Sequence, residues 1–239
     1  MMERPPRFDE SLQTIGYYIG TFPDLSILEI ARQLVFEKTN SVSLTPFRSW
    51  EDLTKSYASR STHKLLSSKK SRLFGMSSPA EQALTYYLHK FFSSLIGNFV
   101  ISDEESFGHP EIYWRIVRPN EQSDVGPLHA DSWFWELNNW LIPARFTQRT
   151  KVWIPLATEI GLNGLLALPG SHLQTYNYTI EYDGSKRKPR ISSYIDKHDI
   201  ILLNVPHGSY VIFNDRLIHG GAFNAGIQSR ISFEFTCLH

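Results

Sequence analysis

The chain has 239 residues, of which 41% are hydrophobic and 20% are charged. This is the composition of an ordinary globular protein, and it excludes an intrinsically disordered chain. The 24 basic and 24 acidic residues balance to a formal net charge of zero, so the chain lacks the positive charge that gathers nucleic acid or anionic membranes. We therefore expect one domain, 1–239, whose partner is a small molecule.

The sequence contains one cysteine, Cys237, which excludes an internal disulfide bond and any metal site built from several cysteines. The first ten residues carry charges and prolines where a signal peptide has its hydrophobic segment. No later stretch is long and hydrophobic enough to be a membrane span. These features predict a protein of the cytoplasm.

The first 110 residues show the hydrophobic spacing that is typical of helices. Hydrophobic residues recur on one helical face over 27–35 and again over 80–95. Before the second segment, Ser78 and Glu81 have the spacing of a capping box, with Pro79 at the first helical position, and Gly97 can end the helix. We predict that 1–110 is a helical region that supports the rest of the domain.

After residue 110 the sequence is typical of short β-strands. Segments rich in β-branched and aromatic residues lie at 111–118, 151–156, 164–168, 209–213 and 229–236. They predict a mainly β sandwich or barrel over 111–239, with the N-terminal helices packed on its outer face. Two long connections, 132–148 and 171–207, show no clear pattern, and we expect functional loops or insertions there.

Two histidines and an aspartate are candidate metal ligands. His129 and Asp131 are two residues apart, so on an extended segment both side chains point to the same face. His219 follows the predicted strand 209–213 and could supply a third ligand. Two imidazoles and one carboxylate form the facial triad that binds Fe(II) in oxygenases and leaves positions open for a cosubstrate and O2. Alone, a His-x-Asp pattern arises often by chance.

Arg230 and Ser232 make the hypothesis more specific. They lie on the same face of the last predicted strand, after the third candidate ligand. A buried guanidinium binds a carboxylate through two hydrogen bonds, and a hydroxyl adds another, so this pair could hold the distal carboxylate of 2-oxoglutarate. The alternative is that Arg230 faces solvent. This is disfavoured because the histidines, the aspartate, the arginine and the serine follow one another in the order that such a site requires.

The segment 111–236 resembles the phytanoyl-CoA dioxygenase-like branch of the Fe(II)/2-oxoglutarate oxygenases. The residues that carry the likeness are His129, Asp131, Asn163, Gly164, Pro169, Gly170, Ser171, His172, His219, Arg230 and Ser232. The resemblance implies a double-stranded β-helix, or jelly roll, whose mouth holds the metal, and it implies Fe(II), 2-oxoglutarate and O2 as cofactor and cosubstrates. Relatives that halogenate carry Gly or Ala in place of the metal carboxylate, so Asp131 favours hydroxylation.

The resemblance also implies roles for residues around the metal. Tyr113, Trp135 and Trp153 match positions that line the cosubstrate pocket in relatives, although aromatic residues on strands are as often part of the core. His172 is implied to be structural rather than a ligand. Asn224 is implied to serve the turn after the distal histidine.

Four residues are candidates for substrate binding. Arg115 and Arg118 could each bind an anionic group of the substrate or form an internal ion pair, and the sequence does not rank them. Trp133 and Phe134 follow the His-x-Asp pattern and could form an apolar wall over the substrate, or belong to the core.

Together these residues predict an Fe(II)- and 2-oxoglutarate-dependent dioxygenase. The reaction that we expect is hydroxylation of an unactivated C–H bond in a small biosynthetic or lipid-type molecule, with release of succinate and CO2. Desaturation, epimerisation and ring closure remain alternatives, as does a metal-binding cupin-like protein without oxygenase activity. The basic runs 69–72 and 185–190 could receive a phosphate or carboxylate, but solvated loops are the better interpretation.

Overall fold

The computed structural model describes residues 8–57, 61–66, 68, 70–140, 142–143, 145–183 and 186–239. The α-helices of that part are α1 (Phe8–Thr14), α2 (Ser26–Val42), α3 (Trp50–Ser56), α4 (Pro79–Ile96) and α5 (Asp131–Asn138). The strands are β1 (Tyr17–Thr21), β2 (Leu73–Phe74), β3 (Val100–Ile101), β4 (Ile112–Val117), β5 (Arg149–Ala157), β6 (Leu165–Ala167), β7 (Tyr178–Asp183), β8 (Lys186–Ile191), β9 (Ile201–Leu202), β10 (Ser209–Asn214), β11 (His219–Gly221) and β12 (Arg230–Leu238).

The larger of the sheets contains seven strands. Its order is β1-β10-β5-β12-β4-β2, with β3 also paired to β12, and all of these pairs are antiparallel. Alternate residues of the strands point to one face, where Trp114, Ile116, Phe233 and Phe235 join a core cluster with residues of α2 and α4. The prediction of a mainly β fold with helices on its outer face is confirmed.

The opposite face of this sheet packs against a smaller sheet, and the interior of the domain lies between the two. That sheet has the order β11-β6-β9. Trp153 and Phe213 of the larger sheet and Leu165 and Ala167 of the smaller one belong to a second cluster of buried residues. The two sheets therefore pack face to face, as in a β-sandwich.

The best-defined helical prediction is confirmed in detail. The Ser78 side chain accepts a hydrogen bond from the Glu81 backbone N–H, the Glu81 carboxylate accepts from the Ser78 backbone N–H, and Pro79 begins α4. Gly97 ends the helix with a φ of 86°, which a residue with a side chain rarely adopts. The segment predicted over 27–35 is part of the longer α2.

Several elements differ from the sequence prediction. β1 lies within the region predicted to be helical and pairs with β10 at the edge of the larger sheet. The connection 132–148 begins with most of α5, which was not predicted. The successive aromatic residues of α5 do not recur on one face with helical spacing. The connection 171–207 contains the hairpin β7–β8, whose mostly exposed residues lack the alternation of a half-buried strand. Within the described residues, no helix combines the length and hydrophobicity needed to cross a membrane.

The carboxylate of Glu81 ties α4 to the segment before it and to α2. It accepts hydrogen bonds from the backbone N–H groups of Gly75, Ser77 and Ser78, at 3.1 Å each, and lies 2.9 Å from Lys38 Nζ. Burial opposes its ionisation, but the Lys38 ammonium and the hydrogen bonds outweigh burial and lower the pKa of Glu81 to about 2. The charged form is therefore the one that stabilises the fold.

We expect Glu81→Gln to lower the free energy of unfolding at neutral pH by on the order of 2 kcal/mol, because charge-assisted hydrogen bonds are lost. The folded-state pKa is depressed, so this stabilisation is present above about pH 4.5 and is lost as the pH falls toward 2. Urea unfolding at pH 7 and at pH 3.5 checks this expectation. The exposed Glu37→Gln on α2 is the control, and an equal deficit of Glu81→Gln at both pH values would contradict it.

Candidate metal centre and cosubstrate pocket

The two candidate histidine ligands are joined through their backbones. His129 and His219 form an isolated antiparallel bridge, in which each backbone N–H donates to the other residue's carbonyl at 2.9 Å. The bridge brings their rings within 4.6 Å of each other, measured between centroids. Residues that lie far apart in the sequence are thereby fixed side by side at the edge of the smaller sheet.

Asp131 completes the cluster from the first residue of α5. Its Oδ1 lies 3.7 Å from His129 Nε2 and its Oδ2 lies 3.7 Å from His219 Nε2. One donor atom from each of the three residues falls within 4.8 Å of the others. The prediction that His129 and Asp131 share one extended segment was wrong in part: Ala130 is extended, with φ −105° and ψ 140°, but Asp131 is already helical. The helix start still turns the carboxylate toward both rings.

Hydrogen bonds to the backbone orient both imidazoles. His129 Nδ1 lies 2.9 Å from the Pro127 carbonyl oxygen, and His219 Nδ1 lies 2.9 Å from the Leu217 carbonyl oxygen. A carbonyl only accepts, so each Nδ1 carries the proton and each Nε2 directs its lone pair toward Asp131. Burial, and then the neighbouring His219, lower the pKa of His129 to about 4, so its ring is neutral at neutral pH.

The donor set fits a divalent iron ion. Two imidazole nitrogens and one carboxylate converge from one side, which is the arrangement of the facial triad, and the other coordination positions are left to exogenous ligands. Aromatic rings surround the histidines: Phe134 packs edge-on to His129 at 5.2 Å and Phe213 lies 4.5 Å from His219, between ring centroids. They supply the apolar surroundings that limit the access of water.

Arg230 begins β12 and is buried, with 2% of its surface exposed. Its Nη1 donates to the carbonyl oxygens of Gly164 and Ala222, while within the described residues its Nε has no hydrogen-bond partner. Burial lowers the pKa of Arg230 to about 9, and the charge of Arg115 adds to this effect, yet the guanidinium stays positive at neutral pH. A cation in such a place requires an anion, because a buried charge is costly unless it is paired.

The groups beside Arg230 leave room for that anion. Ser232 lies two residues further along β12, on the same face, and is also buried. A side chain at Gly221 would place its Cβ 3.0 Å from Arg230 Nη2, so the glycine keeps the guanidinium clear. Arg230 and Ser232 could therefore bind one carboxylate between them, as the sequence predicts.

Tyr113 shares the interior face with these residues. Its position on β4 is opposite Glu234 of β12, and its hydroxyl donates to Glu111 Oε2 at 2.5 Å. Burial, and then the Glu111 carboxylate, raise the pKa of Tyr113 above its usual value, while burial raises the pKa of Glu111 to about 7. Tyr113 thus lines the interior with its hydroxyl already engaged by the protein.

The three predicted tryptophans pack with neighbouring side chains. Trp153 belongs to the buried cluster between the sheets. Trp135 on α5 lies beneath the Arg149 guanidinium, 4.4 Å from its ring centroid. Trp133 stacks on Tyr178, with 4.7 Å between the ring centroids. These contacts match the core role that the sequence left open for each of them, whereas Phe134 remains against the metal cluster.

Other predicted residues have structural partners. Arg118 forms an internal ion pair, with its Nε and Nη2 donating to the Asp124 carboxylate at 2.9 and 2.8 Å. His172 is buried with its Nε2 3.2 Å from the Gln13 carbonyl oxygen, and the buried Asn224 donates to the Val117 and Gln228 carbonyls at 3.0 and 2.9 Å. Of the basic runs, Lys69 and Ser185 lie outside the described residues, and Arg190 pairs with Glu181 at 2.6 Å.

Two charged residues of the interior were missed by the sequence analysis. Lys151 Nζ lies 3.9 Å from Glu234 Oε1 and 3.5 Å from Thr236 Oγ1. Burial favours the neutral lysine, but the charges of Asp131 and Glu234 outweigh it and raise the pKa of Lys151. The alternation of β12 could have located Glu234, because it follows Arg230 and Ser232 on the same face.

A cleft of about 620 Å³ opens beside α5, within the range of small-molecule sites. Its lining includes Glu104, Trp135, Trp140 and Phe146. Glu104 accepts a hydrogen bond from Thr236 Oγ1 at 2.7 Å. A chain of contacts therefore runs from the wall of the cleft to the charged residues of the interior.

Comparisons with solved structures agree on the fold at low sequence identity. ThoJ, a non-heme monooxygenase in its apo form, is 16% identical with a TM-score of 0.57, over 97% of this chain and 77% of ThoJ. AviO1 from Streptomyces viridochromogenes Tue57 is 15% identical with a TM-score of 0.56, over 100% of this chain and 97% of AviO1. EvdO2 from Micromonospora carbonacea var. aurantiaca, complexed with 2-oxoglutarate, is 14% identical with a TM-score of 0.56, over 97% and 89%.

A search of curated protein sequences finds no significant match. The family model described as phytanoyl-CoA dioxygenase (PhyH), however, matches residues 51–232. That range is more than half of the chain, and it includes the His129, Asp131 and His219 cluster as well as Arg230 and Ser232. The chain therefore belongs to the phytanoyl-CoA dioxygenase family and is a non-haem iron oxygenase that depends on 2-oxoglutarate.

Proposed function

We propose that His129, Asp131 and His219 bind Fe(II), and that the enzyme hydroxylates a C–H bond of a small-molecule substrate with release of succinate and CO2. The observation that carries the proposal is the convergence of three donor atoms within 4.8 Å, on the same interior that holds the buried guanidinium of Arg230. When bound, Fe(II) and 2-oxoglutarate supply the oxidative chemistry that activates O2. The protein contributes binding, orientation and the exclusion of water.

The backbone carbonyls of Pro127 and Leu217 orient the two histidine rings. Each holds the proton of one histidine on Nδ1, which keeps both Nε2 atoms available as ligands. Asp131 contributes one negative charge. Its retention supports hydroxylation over halogenation, because the halogenating relatives lack this carboxylate.

Arg230 and Ser232 are the proposed site for the distal carboxylate of 2-oxoglutarate. One edge of the guanidinium is held by the Gly164 carbonyl, which leaves Nε and Nη2 to donate in parallel to a carboxylate. The pairing is strengthened by burial, since charges attract more strongly where water is excluded. Tyr113 and Trp153 line the same interior and are proposed to border the cosubstrate. Trp135 is proposed to hold α5 in place through its contact with Arg149.

The first prediction concerns the metal ligands. His129→Ala, Asp131→Ala and His219→Ala should each weaken Fe(II) binding by on the order of a hundredfold or more, because loss of a ligand costs at least as much as loss of an outer partner. Anaerobic calorimetric titration with Fe(II) measures this. His198→Ala, which removes an exposed histidine, is the control. Wild-type affinity in any of the three ligand variants would contradict the assignment of that residue.

The second prediction concerns 2-oxoglutarate. Anaerobic titration of the Fe(II) protein should produce the weak visible charge-transfer band of a chelated 2-oxo acid. Arg230→Met should raise the dissociation constant of 2-oxoglutarate by about 30-fold or more, because one partner of a buried charge pair is removed. Arg187→Met, at an exposed position on β8, is the control. A metallated wild-type protein without the band would reject the oxygenase function in favour of a cupin-like metal protein.

The third prediction concerns the reaction. Cell extract incubated with the Fe(II) enzyme, 2-oxoglutarate and O2 should yield a metabolite whose mass has increased by one oxygen atom, together with an equal amount of succinate. Mass spectrometry detects both products. A loss of two hydrogen atoms, or an unchanged mass with altered stereochemistry, would replace hydroxylation by desaturation or epimerisation. The control is a parallel incubation with the Asp131→Ala protein, which should yield neither product.

A further inference from the structure

Arg115 occupies the centre of β4 and points into the interior. It is opposite Ser232 of β12 in the antiparallel register, so it shares a face with Arg230 and Glu234. Its neighbours on the strand, Trp114 and Ile116, belong to the opposite face and are buried against the helical layer. The guanidinium therefore lies among the polar residues of the proposed active site.

The guanidinium of Arg115 is half-buried and has no acceptor within the described part of the chain. Two other partly buried arginines pair with carboxylates: Arg118 with Asp124 at 2.8 Å and Arg149 with Asp215 at 2.7 Å. A partly buried guanidinium without an acceptor is destabilising. Its retention on the interior face points to a ligand.

The charge of Arg115 acts on two other arginines. Burial, and then the charge of Arg115, lower the pKa of Arg230 to about 9 and the pKa of Arg72 to about 10. Arg115 is the first charged neighbour that acts on each of them. The repulsion between these guanidinium groups favours an anion beside Arg115.

The carboxylate of Glu234 is shared by two cations, since burial raises its pKa but the charges of Lys151 and then of Arg115 outweigh burial and lower it. Lys151 lies beside Glu234. In the proposed function, Asp131 is assigned to Fe(II) and Arg230 to the distal carboxylate of 2-oxoglutarate. The acidic groups Glu104 and Glu111 are hydrogen-bonded to Thr236 and Tyr113. Among the described residues, no carboxylate forms an ion pair or a hydrogen bond with Arg115, so its guanidinium can still donate to a ligand.

We propose that Arg115 binds an anionic group of the substrate, a carboxylate or a phosphate, and thereby holds the reacting C–H bond beside the metal. The planar guanidinium can donate two parallel hydrogen bonds to either group. The substrate class is then a small organic acid or phosphate ester. This inference rests on the proposed function and adds to it the feature by which the substrate is recognised.

The test uses matched small-molecule probes and does not depend on turnover. Protein with Zn(II) in place of Fe(II), saturated with 2-oxoglutarate, is titrated by ligand-observed NMR with benzoate, hexanoate and phenyl phosphate. Benzamide, hexanamide and benzyl alcohol are their uncharged partners. At least one anion should bind about tenfold more tightly than its partner, since a charge-assisted hydrogen bond is stronger than a neutral one.

Variants separate the role of Arg115 from that of Arg230. Arg115→Met should remove the preference for the anion while leaving the 2-oxoglutarate affinity within about threefold of wild type, and Arg115→Lys should retain part of the preference. Arg187→Met should behave as wild type. Thermal unfolding verifies that each variant is folded, and Arg115→Lys serves alone if Arg115→Met does not fold.

Three outcomes would overturn the inference. They are the absence of any preference for anions in wild-type protein, an unchanged preference in the Arg115 variants, and a loss of 2-oxoglutarate affinity in Arg115→Met as large as that in Arg230→Met. The last would assign Arg115 to the cosubstrate. The charge-transfer band of the Fe(II) protein is recorded on the same preparations. A preparation with the band but without the preference rejects only the role of Arg115, whereas absence of the band rejects the proposed function.

Discussion

The alternation of side chains along β12 is the constraint on which the rest of the structure depends. Ile231, Phe233 and Phe235 point into the core beneath the helices, while Arg230 and Glu234 point into the interior. A shift of the strand by one residue would place charged groups in the apolar core and apolar rings at the site, so the buried face specifies the register. The hydrophobic core and the polar interior are two faces of the same strand, and neither can change independently.

Much of the fold follows from local signals in the sequence. The start of α4 could be predicted because Ser78, Pro79 and Glu81 satisfy the backbone groups at a helix end within a few residues of the chain. α5 could not, because its burial depends on distant partners: Trp133 packs on Tyr178, and Trp135 packs beneath Arg149. Strand β1 forms for a similar reason, since its hydrogen-bonding partner β10 lies almost two hundred residues further along the chain.

The candidate site divides in the same way. The proposed metal-binding cluster could be predicted because His129, Asp131 and His219 combine with Arg230 and Ser232 in the order that the family resemblance carries. The sequence could not rank Arg115 and Arg118, because what distinguishes them is a turn that brings Asp124 to Arg118. Among the described residues, no carboxylate forms an ion pair with Arg115. Lys151 and Glu234 were missed because a charged residue on a strand usually faces solvent, whereas these two face an enclosed interior.

The backbone bridge between His129 and His219 has a thermodynamic consequence for the metal. In a chain whose ligands come together only when the ion binds, part of the binding free energy is spent on closing the loop between them. Here reciprocal hydrogen bonds between the two residues have already closed a loop of about ninety residues during folding. The apoprotein is therefore preorganised, so little of the binding free energy of a metal ion at the proposed centre would be spent on bringing the two histidines together.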